Sequence, residues 1–124
     1  MRATLLAAAI GGFLAVSIGA FAAHGLRDFL DAQRLAWVET AVRYQTFHSV
    51  ALLGIAVLMA VRPARLLAVV AGAFTLGMLL FSGSLYGLAF TGLRGFVLIT
   101  PFGGGFFLVG WAVLGLYAWR QRSP

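Results

Sequence analysis

Polar and apolar positions in this chain fall into long blocks. Four apolar runs, at about Ala3–Ala23, Tyr44–Val61, Leu66–Phe90 and Gly95–Trp119, contain no Asp, Glu, Lys or Arg. Each has roughly the 17–25 residues that a helix needs to cross about 30 Å of hydrocarbon. The pattern predicts an all-α membrane protein, a four-transmembrane-helix bundle that forms a single integral membrane domain over residues 1–124.

Between the first two runs, Gly25–Arg43 has a different period. Leu26, Phe29, Leu30 and Trp37 recur at helical spacing, with Arg27, Asp31 and Arg34 on another side. Arg27–Asp31 and Glu39–Arg43 stand at i,i+4 and Asp31–Arg34 at i,i+3, so most charges have a local partner. This predicts an amphipathic connector, a short interfacial helix with its apolar face toward the acyl chains and Trp37 at headgroup depth. Solvated connector and docking surface for a partner protein are both open to it.

Composition narrows the class. Hydrophobic residues make up 62% of the chain and charged residues 10%, and the mean hydropathy is +1.00. So few charges cannot cover the exterior of a soluble domain. A net charge of +6 would suggest nucleic acid in a soluble protein. Here every basic residue is an Arg outside the apolar runs, so the arginines read as interfacial anchors, and no nucleic-acid partner is expected. The expected partner is the lipid bilayer, with a homo-oligomer or another membrane protein as further candidates. The absence of Cys excludes disulfides, thiolate metal sites and dithiol redox chemistry.

Four crossings put Arg2, Arg62, Arg65, Arg120 and Arg122 on one side. Arg27, Arg34, Arg43 and Arg94 fall on the other, with Asp28, Asp31 and Glu39. Counting Arg alone, five against four, places both termini in the cytoplasm, by a margin that leaves dual insertion open. Arg2, the apolar stretch and Ala20-Phe21-Ala22 imitate a cleavable signal peptide. The first run is longer than the roughly 7–15 residues of a signal core, so the first span is expected to be retained.

Small residues mark the packing. Gly11, Ala15, Gly19 and Ala23 form an i,i+4 ridge, and Gly83 and Gly87 a G-x-x-x-G. Both would let backbones approach closely, within the bundle or between copies. Pro101, followed by Phe102-Gly103-Gly104-Gly105, predicts a kink near the outer end of the fourth span.

The polar residues of the spans gather in the half of the bilayer opposite the termini. His24 closes the first run. Tyr44, Gln45, Thr46, His48 and Ser49 open the second, Ser82, Ser84 and Tyr86 lie late in the third, and Thr100 and Pro101 early in the fourth. His48, Ser84 and Thr100 each fall roughly 7–10 Å below that surface. A belt of this kind faces protein rather than lipid. His24, Tyr44, Gln45, His48, Ser82, Ser84, Tyr86, Thr100 and Pro101 are therefore the candidate residues of either a polar pocket or an interhelical hydrogen-bond network.

Five spaced blocks carry a resemblance. They are Gly19-Ala20-Phe21-Ala22-Ala23-His24, Trp37-Val38-Glu39-Thr40, Tyr44-Gln45-Thr46-Phe47-His48, Phe81-Ser82-Gly83-Ser84-Leu85-Tyr86 and Thr100-Pro101-Phe102-Gly103-Gly104. In this order they resemble the YgdD family of small bacterial membrane proteins, which has eukaryotic relatives among small transmembrane proteins. The resemblance implies a four-span inner-membrane protein. It brings no catalytic residues with it.

The residues offer little chemistry of their own. His24 and His48, with no Cys and no carboxylate inside a span, do not make a four-ligand zinc set, so no metal site is expected. Ser82 or Ser84 could meet His48, but no span carboxylate exists to orient the imidazole, and Phe81-Ser82-Gly83 is not a nucleophile elbow. For proton-coupled export, His48 is the one plausible embedded ionisable group. No enzymatic activity and no cofactor are expected. The leading expectation is a non-enzymatic structural or interaction module. The alternatives are a small channel or transporter, or a lipid- or quinone-binding protein lined by Phe81, Phe96, Phe102, Phe106 and Phe107.

Overall fold

The computed structural model of the chain describes residues 1–121; Arg122, one of the arginines assigned to the terminal side, lies outside them. Regular structure among the described residues is entirely helical: α1 (Arg2–His24), α2 (Ala32–Val61), α3 (Arg65–Gly77), α4 (Gly83–Thr91) and α5 (Thr100–Arg120). A π-helical stretch, Met78–Ser82, joins α3 to α4 without a break. The chain thus has four rods long and apolar enough to cross a membrane, the all-α architecture that the apolar runs predict.

Local chemistry sets the helix ends. Asp31 is the N-cap of α2, where its extended backbone lets Oδ1 accept the Arg34 N–H at 2.8 Å. Arg62 is extended because Pro63 follows it, and α2 stops there. Gly92 adopts φ +73, the left-handed conformation that glycine enters without penalty, and its N–H closes α4 on the Leu88 carbonyl at 2.9 Å.

The connector between the first two spans differs in extent from its sequence pattern. Its separate helix is one 3₁₀ turn, Leu26–Asp28, and from Ala32 onward it is continuous with the second span. At 1.5 Å per residue α2 is about 45 Å long, about 15 Å more than the hydrocarbon, so its first turns stand outside. Leu26, Leu30, Leu35 and Trp37, each partly buried, pack on Ala22, Val38 and Ala89 at the end of the bundle.

The fourth span has its expected extent, Arg94–Arg120, but differs in its first turns. It has no kink at Pro101: the chain arrives as a 3₁₀ segment, Arg94–Leu98, and α5 begins at Thr100. Proline in a first turn removes an N–H that had no partner to lose.

The small-residue ridge of α1 runs through Thr4, Ala8, Gly11, Ala15 and Ala22, while Ala23 is exposed. Steps alternating between four and three follow the 3.6-residue turn, whereas a strict i,i+4 ladder drifts off the face. In the third span Gly83 faces open space, and Gly87 lies under the Phe96 ring. That G-x-x-x-G seats an aromatic ring, not a helix.

Neighbours in sequence are neighbours in space. α1 packs along α2, α2 along the third span, and the third span along α5. The π turn adds a residue to one helical turn and so rotates α4 against α3. α3 accordingly packs mainly on α5, and α4 mainly on α2. The core is built on Leu52, Ile55, Leu67, Val70, Phe74 and Phe107. Third and fourth spans interlock reciprocally, Phe107 lying over Gly77 and Phe74 over Gly110. Large exposed side chains such as Phe13, Val16, Phe47, Phe102 and Leu108 cover the surface that meets lipid.

Candidate functional site

Span polar residues have few partners in hydrocarbon, so each must find one on a neighbouring helix or on a carbonyl of its own, as Ser17, Thr46 and Thr75 do. α2, which lies between α1 and the third span, carries the two that reach furthest. Buried Gln45 donates from Nε2 to the Gly11 carbonyl of α1 at 2.8 Å, and its Oε1 accepts from the Tyr86 hydroxyl of α4 at 2.7 Å. One side chain ties three spans.

One turn later on α2, His48 forms a second unit. Its Nδ1 lies 2.7 Å from the Tyr44 carbonyl, and its Nε2 accepts from the Trp111 indole N–H at 3.1 Å. An imidazole carrying its hydrogen on Nδ1 satisfies both bonds at once. The ring stacks on Phe107 with centroids 3.7 Å apart and an interplanar angle of 11°, and meets Phe74 edge-on at 5.0 Å. Tyr44 extends this cluster through its ring, 4.6 Å from that of Phe81.

The serines hold the third span to its two neighbours. Ser82 donates to the Ala41 carbonyl of α2 at 2.7 Å. Ser84 and Thr100 share a hydrogen bond of 2.5 Å, and each hydroxyl also meets a carbonyl of its own span, Phe81 for Ser84 and Phe96 for Thr100. Among the described residues, no buried side-chain nitrogen or oxygen lacks a partner.

The candidate residues therefore divide. Gln45, His48, Ser82, Ser84, Tyr86 and Thr100 form short interhelical links, and Tyr44 takes part through its ring and carbonyl. His24, at the end of α1, is exposed and outside the links. Pro101 is exposed too and borders a shallow apolar depression with Phe102, Phe106 and Val109. The belt is a set of separate contacts and does not enclose one polar pocket.

What the bundle leaves open is apolar. A lateral groove of about 580 Å³ separates α1 from the third span. Its walls include Leu6, Ile10, Leu14, Met78, Leu79 and Gly83, with Gln45 and Tyr86 at one place along it. It extends from Ala3 to Ile18 on α1, about 22 Å of helix.

Comparison with known proteins agrees with this architecture. A family described as "Protein of unknown function (DUF423)" matches residues 18–104. The chain belongs to this family. A UPF0382 membrane protein of Haemophilus influenzae is 44% identical over 115 residues, covering 93% of this chain and 92% of its own. The UPF0382 inner membrane protein YgdD of Escherichia coli K12 is 44% identical over 121 residues, covering 98% and 92%. The UPF0382 membrane protein SSP2132 of Staphylococcus saprophyticus is 39% identical over 114 residues, covering 92% and 94%. No solved structure matches. The DUF423 match takes in every polar link but the Trp111 side of the second and the Gly11 end of the first.

Three participants were outside the sequence reading. Trp111 sits mid-span in an apolar run, where an indole reads as bulk. Met78 receives the Ser49 hydroxyl at 3.5 Å, a soft contact without a sequence signal. The carbonyl of Gly11 is open to Gln45 because glycine adds no side chain there, as a Cβ would fall on the Ser49 hydroxyl.

Proposed function

We propose that this DUF423 protein is a non-enzymatic module of the bacterial inner membrane, both termini cytoplasmic, which acts by binding another membrane component. The observation that carries this reading is the use made of the polar side chains. Gln45, His48, Ser82, Ser84, Tyr86 and Thr100 are each turned to a carbonyl or side chain of another span or of their own helix, which leaves none of these six over for a reacting or translocated species. Inner-membrane placement is supported by the printed names of the Escherichia coli relatives, and orientation by the arginine count of the flanks.

A second reading, binding of a lipid or quinone tail, is favoured by the lateral groove. Its length of about 22 Å exceeds the roughly 15 Å of one leaflet, so an occupant would run past the midplane.

Native mass spectrometry of the gently extracted protein tests both. A defined oligomer or a co-purifying membrane protein supports the module. A retained hydrophobic small molecule, lost when Gly83→Phe fills the groove, supports the second reading. Selective ion or proton flux in proteoliposomes would overturn both in favour of a channel or transporter.

A further inference from the structure

At the end of the bundle that carries the connector, a pocket of about 220 Å³ opens between the start of α2 and the segment leading into the fourth span. Two arginines line it, Arg34 and Arg94, together with Trp37 and Gln33. Arg34 is half-buried, and it makes one long contact, Nη1 to the Ala89 carbonyl at 3.5 Å. A guanidinium has five N–H donors, so most of its capacity is unused among the described residues. Gly92 makes room for it: a Cβ there would stand 2.6 Å from Nη2.

The one carboxylate in the lining is committed. Asp31 accepts the Arg34 backbone N–H as the cap of α2. The lining therefore holds two arginines and one carboxylate, an excess of positive charge, at the N-terminal end of a 30-residue helix. Paired arginines match phosphate oxygens in fork geometry, and a half-buried guanidinium with most of its donors free has capacity for such an anion.

We infer that this pocket is a phosphate-binding site at headgroup depth, in which Arg34 and Arg94 clamp the oxygens of a phosphate anion against Trp37. A phospholipid of the adjacent leaflet and a free phosphate both offer that chemistry. The site lies apart from the lateral groove and does not depend on what fills it.

The experiment uses the full-length protein in an uncharged detergent. One arm titrates dihexanoyl phosphatidylglycerol below its micelle concentration, the other inorganic phosphate, each read by tryptophan fluorescence with Trp111→Phe and Trp119→Phe backgrounds isolating Trp37. Saturable binding is expected, weakened about tenfold or more by Arg94→Gln, which removes an exposed side chain and leaves the fold intact. Arg43→Gln changes the same charge on the exposed face of α2, outside the lining, and is expected to leave affinity unchanged. Saturation by the lipid alone assigns the site to a headgroup, and by both to phosphate from either source. Loss of affinity equal in Arg43→Gln and Arg94→Gln would reduce the site to diffuse attraction and overturn it, as would binding in neither arm.

Discussion

Tyr86 and Gln45 share a hydrogen bond of 2.7 Å between the third and second spans, and the Gln45 amide passes the connection to the first. Removing either end is unequal. Tyr86→Phe deletes one bond, and a loss of about 0.6 kcal/mol is expected. Gln45→Leu also strands the Tyr86 hydroxyl, and a loss of about 1–3 kcal/mol is expected. Unfolding in detergent measures both, and the double variant should cost less than the sum. Simple additivity would show that the two side chains do not act together.

His48 is expected to matter through shape and hydrogen bonding jointly. His48→Ala removes the ring stacked on Phe107 and leaves the Trp111 indole N–H unpaired. His48→Gln keeps polar capacity and loses only the stack. The melting temperature should fall for both, further for Ala. Equal falls would assign the whole effect to stacking, and no fall in either would remove His48 from the set of structural residues.

Gly103 and Gly105 of the fourth span should respond in opposite ways. At Gly103 a Cβ would collide with the Phe81 backbone, which cannot swing aside, whereas Gly105 has open space. Gly103→Ala is expected to destabilise by about 1–3 kcal/mol. Gly105→Ala should be neutral or stabilising by up to about 1 kcal/mol, because alanine is the better helix former. Similar unfolding curves for the two would mean that the third and fourth spans do not meet at Gly103.

Orientation is directly measurable, since the chain has no Cys. Arg27→Cys should react with a membrane-impermeant maleimide in intact cells, and Gln121→Cys only after lysis. Reaction of both from outside would break the four-crossing topology, and half-reaction of each would reveal dual insertion.

The rods were legible because apolar length alone dictates them, and the belt because polar residues in hydrocarbon must turn inward. Gln45, His48, Ser82, Ser84, Tyr86 and Thr100 are all tied across the bundle. The division of that belt into separate links was not legible, because it depends on which faces meet. Those faces are set by the π turn at Met78–Ser82, a stretch whose residues Met-Leu-Leu-Phe-Ser suit an ordinary helix as well. The fourth span has its expected extent, and the kink expected at Pro101 is a change from 3₁₀ to α-helix for a similar reason. Proline signals a discontinuity, and whether that becomes a kink or a beginning depends on what precedes it. His24 and Pro101 entered the candidate set by depth alone, and depth does not say which way a side chain looks.

Because the third span changes neighbours at its π turn, the membrane-embedded protein has two storeys with different mortar. On the α3 side the joint is mainly ring against glycine, with Phe74 on Gly110 and Phe107 on Gly77, a fit that tolerates no added volume, and the hydrogen bonds nearest the termini are long, Tyr117 to the Arg62 carbonyl at 3.3 Å and Thr4 to the Met59 sulfur at 3.4 Å. On the α4 side the joint is made of hydroxyls and an amide, directional and slow to slide. A bilayer that thins, thickens or bends would shear the first storey before the second. Strain from the membrane would thus collect at the side bearing the termini, while the opposite side keeps its shape.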